Sequence, residues 1–220
     1  MNGNARFSLV RHVDGWLYLT DKAGEFSPTT IHFADAYYRQ RGGTEYLPKA
    51  LRGMAGAQVA DATAGWARDA WLLAYRGFHI TLIERHPLLF ALLEQGIERA
   101  RQEALTAAVA ARLQAVHADS SDYLRQHTFA AVYLDPMYPA REKTSKVKKD
   151  MQILHALLAD TVNDHERLLA SARLSATARV IVKRPQGAEY LAGCAPDYQI
   201  VAPNTRFDVY TRSPQQSDCV

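Results

Sequence analysis

From about residue 56 onward, short apolar runs alternate with stretches whose apolar positions recur at helical spacing. "AQVADAT" (57–63), "HITLIE" (79–84), "LQAVHA" (113–118), "AAVYLD" (130–135) and "ARVIVKR" (178–184) are short, apolar and bounded by turns or charges, and they predict strands. Between them, "ARDAWLLAYRG" and "PLLFALLEQGIERARQEAL" predict helices, the first stopped by Gly77 and the second opened by Pro87 in its first turn. "MQILHALLADTVNDHERLLASARL" adds one or two more before the fifth strand. This rhythm predicts an α/β fold with an open, mostly parallel sheet covered on both faces.

The two ends of the chain break the rhythm. "DYQIVAP" and "RFDVYTR" are separated only by Asn204 and Thr205, too short for a crossover helix, so they predict a hairpin and an antiparallel last strand. Near the start, "RFSLVRHVDGWLYLTD" carries Asp14-Gly15 between two apolar runs, a hairpin signal. The expected organisation is an N-terminal β appendage with a basic segment over residues 1–55, then one α/β domain over 56–220. The final "SPQQSDCV" has the composition of a disordered tail.

Composition narrows the class. With 220 residues and 48% hydrophobic content, the chain can bury one sizeable core. "LLFALL" (88–93) is far short of the roughly 20 residues that a bilayer span needs, and "MNGNARFSLVRH" lacks the apolar region of a secretory signal. A cytoplasmic location is the expectation. Cys194 and Cys219 make neither a disulfide framework nor a zinc site, and the eight histidines show no metal-ligand spacing, so no metal is expected. The net charge of +3 permits a polyanionic partner, and "AREKTSKVKKD" concentrates Arg141, Lys143, Lys146, Lys148 and Lys149 against Glu142 and Asp150.

Candidate chemistry gathers at the predicted carboxyl ends of the strands, where open α/β sheets bind ligands. After the first strand, "DATAGWARDA" offers Asp61, a small-residue turn with Gly65, and Arg68-Asp69 opening a helix. Only one glycine of a dinucleotide fingerprint is present, which disfavours a nicotinamide or flavin enzyme. The second strand ends in Glu84-Arg85, an acid placed to accept ribose hydroxyls, and the third leads to Asp119 and Ser120, suited to an adenine edge. An acid at a strand end is also a common helix cap. Acids that hold a nucleoside without a pyrophosphate cradle suit S-adenosylmethionine.

"VYLDPMYP" (132–139) brings Asp135, Pro136 and Tyr138 to the same edge. An exocyclic amine on a base is a poor nucleophile because its lone pair is delocalised into the ring. A carboxylate and a backbone carbonyl that accept its two N–H groups turn that lone pair outward, while an aromatic ring stacks the base. Asp135, the Pro136 carbonyl and Tyr138 supply these parts. The bland alternative is a proline-terminated strand whose Asp caps a helix and whose Tyr is core.

"DATAGWARDAWLLA", "TLIERHPLLFALL", "HADSSDYL", "VYLDPMYP", "VKKDM", "VIVKRP" and "RFDVY" together resemble the RsmJ family, bacterial methyltransferases of a guanine N2 amine in 16S ribosomal RNA. The resemblance covers roughly residues 30–212, with the motifs in order. It implies a class I, Rossmann-like S-adenosylmethionine-dependent methyltransferase fold, seven-stranded with the last strand antiparallel. It also implies cofactor contacts from Arg68-Asp69, Glu84-Arg85, the polar pair after the third strand, and Asp135. The family usually has Ser-Ser at that pair, where this chain reads Asp119-Ser120-Ser121. "FADAYYRQRGGTEYLPKAL" resembles the family's basic, glycine-containing segment, so that Arg39 and Arg41 would meet RNA phosphate or help close the cofactor pocket, the bland alternative being a solvated turn; with Lys143, Lys146, Lys148 and Lys149 they would flank the site. The partner so implied is 16S rRNA or the small ribosomal subunit. Other readings of the same residues are N6-adenine methylation of DNA or RNA and a non-catalytic RNA-binding module.

Overall fold

The computed structural model describes residues 6–35, 46–137, 149–159 and 164–212, with the side chains of 149 and 150 left aside. The chain opens with a hairpin of β1 (Phe7–Arg11) and β2 (Leu17–Asp21), paired antiparallel. Gly15 at its tip has φ 83°, a left-handed conformation that glycine adopts without a Cβ penalty. Asp21, 6% exposed, pairs with Arg6 at 2.9 Å and accepts the Ala23 and Glu25 N–H groups, which closes the base of the hairpin. A short helix α1 (Tyr46–Ala50) then leads into the main sheet.

That sheet contains β3 (Gln58–Asp61), β4 (His79–Glu84), β5 (Leu113–His117), β6 (Phe129–Leu134), β7 (Ala176–Pro185), β8 (Tyr198–Val201) and β9 (Thr205–Thr211). Their spatial order is β5-β4-β3-β6-β7-β9-β8. The first five pair in parallel, and β9 runs antiparallel to both β7 and β8. The predicted C-terminal hairpin is therefore present, with its second strand inserted next to β7. The central strand β6 reads FAAVYL and is buried at five of its six positions. Its near-continuous apolar run reflects a strand covered on both faces.

The crossovers are α2 (Arg68–Tyr75), α3 (Pro87–Gln102), α4 (Ala107–Ala110), α5 (Ser120–Gln126), α6 (Lys149–Leu157) and α7 (His165–Ser175). Pro87 opens α3 where a missing N–H costs nothing, and Gly77, at φ 94°, follows α2. Asp164 caps α7 by accepting the Arg167 N–H at 2.9 Å.

The N-terminal hairpin and the segment after it share the core of the α/β domain. Phe7, Leu19, Ile31 and Phe33 belong to the same buried cluster as Trp71, Leu92 and Leu93, and Phe33 stacks on Trp71 with ring centroids 4.5 Å apart. Gln95 on α3 bonds both the N–H and the carbonyl of Leu17. A Cβ at Gly96 would lie 2.7 Å from Ile31 Cγ2, so that glycine permits the close approach of the N-terminal segment to α3. Among the described residues, no helix is long and apolar enough to cross a membrane.

Candidate active site

The carboxyl ends of β3, β4, β5 and β6 open onto one cleft of about 340 Å³, closed on the far side by α6 and α7. Its wall includes Gly65, Glu84, Arg85, Asp119, Ser120 and Asp135. Pro136 and Met137 border it, as do Leu154 of α6 and His165 and Arg167 of α7.

The turn between β3 and α2 forms one side. Gly65 (φ 49°) and Ala67 (φ 54°) both take left-handed conformations, and Ala67 does so as the residue preceding α2. Left-handed backbone costs a residue bearing a Cβ roughly 1–2 kcal/mol, so the surrounding bonds must hold this turn. They do: Ala62 N–H donates to the Tyr133 carbonyl at 3.0 Å, and Ser120 Oγ donates to the Ala62 carbonyl at 2.6 Å. Glu84 accepts the Gly65 N–H at 3.1 Å and the His86 N–H at 2.8 Å. A Cβ at Gly65 would point at Leu154, 3.6 Å away, so a side chain there would begin to fill the cleft between the turn and α6.

Each acid has a distinct environment. Glu84 is 7% exposed, and burial raises its carboxyl above the ordinary range against the pull of the two N–H donors and Arg85. Asp61 is 2% exposed and lies beneath the turn, where it accepts the Thr63 N–H at 3.1 Å. Burial, reinforced by the charges of Asp69, Asp135 and Glu84, pushes it up to about 8. Asp119 caps α5 by accepting the Ser121 and Asp122 N–H groups, and Arg167 reaches across from α7 to within 3.8 Å of it.

Asp135 follows the last residue of β6, its N–H donating to Thr63 Oγ1 at 2.6 Å. Its side chain is 42% exposed, at the floor of the cleft, and its Oδ2 accepts from Lys183 Nζ at 2.9 Å. The same Nζ donates to Asp69 Oδ2 at 2.7 Å, and that oxygen also accepts the Tyr133 hydroxyl at 2.6 Å. Packing around Asp135 raises its carboxyl, Lys183 counteracts this, and Asp69 adds to it. Burial opposes the Lys183 charge, but Asp135 and Asp69 outweigh burial and hold the ammonium above its ordinary range. Burial and the neighbouring carboxylates raise Tyr133 well above an ordinary phenol, so it stays a neutral donor.

The expected residues divide accordingly. Gly65, Glu84, Arg85, Asp119, Ser120, Asp135 and Pro136 meet at the cleft. Asp61, Arg68 and Asp69 do not line it: Asp61 lies below the turn, Arg68 faces outward from the first turn of α2, and Asp69 turns to Lys183 and Tyr133. Tyr138, Arg39, Arg41, Lys143, Lys146 and Lys148 lie outside the described residues, as does the Lys149 side chain. Lys183 carried no role in the sequence reading, although it stands in the quoted "VIVKRP". His165 and Arg167 were likewise not singled out, and His165 Nε2 is buried at the cleft without a hydrogen-bond partner among the described residues. Also among the described residues, no group of His, Cys, Asp and Glu is arranged to hold a metal ion.

A seven-stranded sheet in this order, with an acid-lined cleft at its carboxyl edge, defines a class I, Rossmann-like methyltransferase fold. A family described as "Putative SAM-dependent methyltransferase" matches residues 11–212, and the chain belongs to it. The ribosomal RNA small subunit methyltransferase J of Neisseria meningitidis serogroup C (strain 053442) is 41% identical over 195 residues, covering 85% of this chain and 78% of the relative. The protein of the same name from Alkalilimnicola ehrlichii is 50% identical over 169 residues, covering 73% of this chain. The chain spans 60% and 62% of the length of two such curated relatives. A solved SAM-dependent methyltransferase from Neisseria gonorrhoeae is 36% identical and superposes with a TM-score of 0.75, over 92% of this chain and 81% of that one.

Proposed function

We propose that the chain is an S-adenosylmethionine-dependent rRNA methyltransferase that modifies the N2 exocyclic amine of an unpaired guanine in 16S rRNA. The observation that carries this reading is that Glu84, at the end of β4, and Asp135, at the end of β6, open onto one cleft. The names of the relatives supply small-subunit rRNA as the substrate class. The guanine N2 atom rests on the resemblance of the motifs, and a cytoplasmic site of action follows from such a substrate.

The residues fit a nucleoside cofactor without phosphates. Glu84 offers a carboxylate at the turn, Gly65 leaves room that a Cβ would begin to fill, and Asp119 and Ser120 bring polar atoms to the same wall. S-adenosylmethionine bound there would supply an electrophilic methyl group. The work of the chain is then positional. Asp135 accepts one N–H of the target amine, the Pro136 carbonyl accepts the other, and the lone pair is turned out of the ring plane. Asp135 also stands ready to hold the proton that the amine sheds. Tyr138 would stack the base. Arg39, Arg41, Lys143, Lys146, Lys148 and Lys149 would grip phosphates and set the RNA's position without reading its sequence. The guanine must be unpaired or flipped, because a paired N2 amine is engaged in the duplex.

The test is to incubate the protein with methyl-labelled S-adenosylmethionine and either small subunits or naked 16S RNA from a strain lacking the activity, then identify the labelled nucleoside. Label in N2-methylguanosine is expected. Label in N6-methyladenosine would retain the amine chemistry and overturn the substrate, and cofactor binding without transfer to either RNA would overturn the reading.

A further inference from the structure

Lys183 does not line the cleft but is bonded to an acid that does, and the proposed chemistry has not used it. It sits in β7, in register opposite Phe207 of β9, and reaches under the cleft to touch two carboxylates from other parts of the fold. One is Asp69 of the first turn of α2, the other Asp135 beyond β6. Its side chain is 27% exposed, and those of Asp69 and Asp135 are 28% and 42% exposed. The Lys183 side chain as a whole is thus less exposed than that of Asp135.

We infer that Lys183 is a positioning residue for Asp135: by binding Oδ2 from below, it fixes the rotation of the carboxylate and keeps it ionised, so that the other oxygen faces an amine N–H donor. This inference rests on the role proposed above for Asp135. The physical need is clear from the surroundings. Asp135 has Asp69 on the α2 side, Asp61 below the turn after β3, and the Tyr133 phenol on its own strand. Lys183 and Arg184 approach from β7, while Asp164, His165 and Arg167 stand across the cleft on or next to α7. Of the cations, Lys183 is the one hydrogen-bonded to the Asp135 carboxylate among the described residues. A carboxyl that took up a proton would become a donor on one oxygen and lose the negative charge that draws the amine hydrogens.

Asp69 completes the device. Its Oδ2 is held by both the Tyr133 hydroxyl and Lys183, which anchors the ammonium at a second point and stops it from following Asp135 into the cleft. Anchoring has an electrostatic cost, since Asp69 is itself a like charge facing Asp135. Lys183 therefore has to serve both acids. Removing it leaves two carboxylates at one site, a situation in which one of them takes up a proton.

The experiment follows the Asp135 carboxyl carbon by NMR through a pH titration of the whole protein, in wild type, Lys183→Met, Lys183→Arg and Asp69→Asn. The pH dependence of kcat and the KM for 16S RNA are measured alongside. In Lys183→Met the Asp135 titration should move upward by about 1–3 pH units, the reach of one adjacent opposite charge. The acid limb of kcat should move with it while KM stays within about twofold. Lys183→Arg should restore most of the wild-type titration. Asp69→Asn, which removes the like charge, should move the Asp135 titration downward. If Lys183→Met fails to fold, Lys183→Gln still decides: with the positive charge gone and a donor kept, the titration should again move upward. An unmoved titration in the variants that remove the Lys183 charge, or a kcat lowered equally at every pH, would overturn the inference. A shifted titration in a protein that methylates no RNA would sustain the electrostatic role and defeat the substrate reading, so the two failures are told apart.

Discussion

Two charged networks stand on neighbouring strands, β9 and β7, and they differ in what they leave open. On β9, Asp208 is fully buried and takes Arg206 through two bonds of 2.8 and 3.2 Å, while Gln199 of β8 donates to it at 2.6 Å. Its cross-strand partner on β7 is Val182, the residue before Lys183. Lys183 bonds Asp69 and Asp135 at 2.7 and 2.9 Å, yet all three side chains remain partly exposed. In the first network the acid is fully buried and enclosed by donors, although Gln199 itself reaches the surface. The second ends at a cleft with a carboxylate that reaches solvent. Similar ion-pair lengths thus serve opposite ends: the buried Asp208 has its oxygens committed within the fold, whereas Asp135 can offer an oxygen to an incoming donor.

Substituting one acid from each network should separate these ends most sharply. Asp135→Ala should lower kcat for methyl transfer by about 10²- to 10⁴-fold, the range for a positioned group that accepts a proton or its hydrogen bond. Its thermal midpoint should stay within a few degrees of wild type. Asp208→Ala should behave in reverse, losing about 3–5 kcal/mol because the Arg206 guanidinium is left buried without its carboxylate. Urea titration should detect that loss, and activity per folded molecule should persist. If Asp208→Ala silences a folded protein, or Asp135→Ala unfolds it, the contrast fails.

A smaller effect is expected from Glu84, the acid proposed to face the cofactor. Glu84→Gln keeps an acceptor for only one of the Gly65 and His86 N–H groups and removes the charge. Calorimetry should show S-adenosylmethionine binding weakened by roughly tenfold to a hundredfold, the worth of a hydrogen bond to a charged group. RNA affinity should be unchanged, and equal weakening of both ligands would contradict the division of the cleft.

A pH-dependent effect should come from Asp61, which is buried like Asp208 but has no cation bonded to it among the described residues. Its carboxyl is raised to about 8 in the folded protein, against an unfolded value near 4. The folded state therefore binds the proton more tightly, so this contribution to stability is full below pH 4 and is lost as pH rises towards 8. Asp61→Asn should flatten the fall in stability between pH 5 and 7, by at most about 1.4 kcal/mol per pH unit. A variant with the same slope as wild type would show that Asp61 is ionised in the folded protein already at pH 5.

How far the sequence reached follows the same contrast. Glu84 and Asp135 were legible because each ends a short apolar run at the edge where parallel sheets bind ligands, and β4 and β6 stand almost where the runs placed them. Asp119 was legible as a polar strand end, and the structure adds that it caps α5. Asp69 was legible only as an acid opening a helix. The left-handed Ala67 before α2 and the bonds to Tyr133 and Lys183 fix where it points, and neither is visible in a local pattern. Lys183 was the hardest to read. A lysine near the end of an apolar strand looks like a solvated terminus, and its two partners are 114 and 48 residues away in sequence. Local periodicity sets the strands, but the pairing of side chains under the cleft depends on the order in which those strands assemble.

The most direct measurement is a crystal structure of the protein with S-adenosylhomocysteine and a short RNA carrying an unpaired guanine. The account predicts the guanine N2 amine within about 3 Å of the Asp135 carboxylate, with Lys183 still bound to Oδ2. A base seated with its amine away from Asp135, or Asp135 swung off Lys183 to pair with another group, would contradict it.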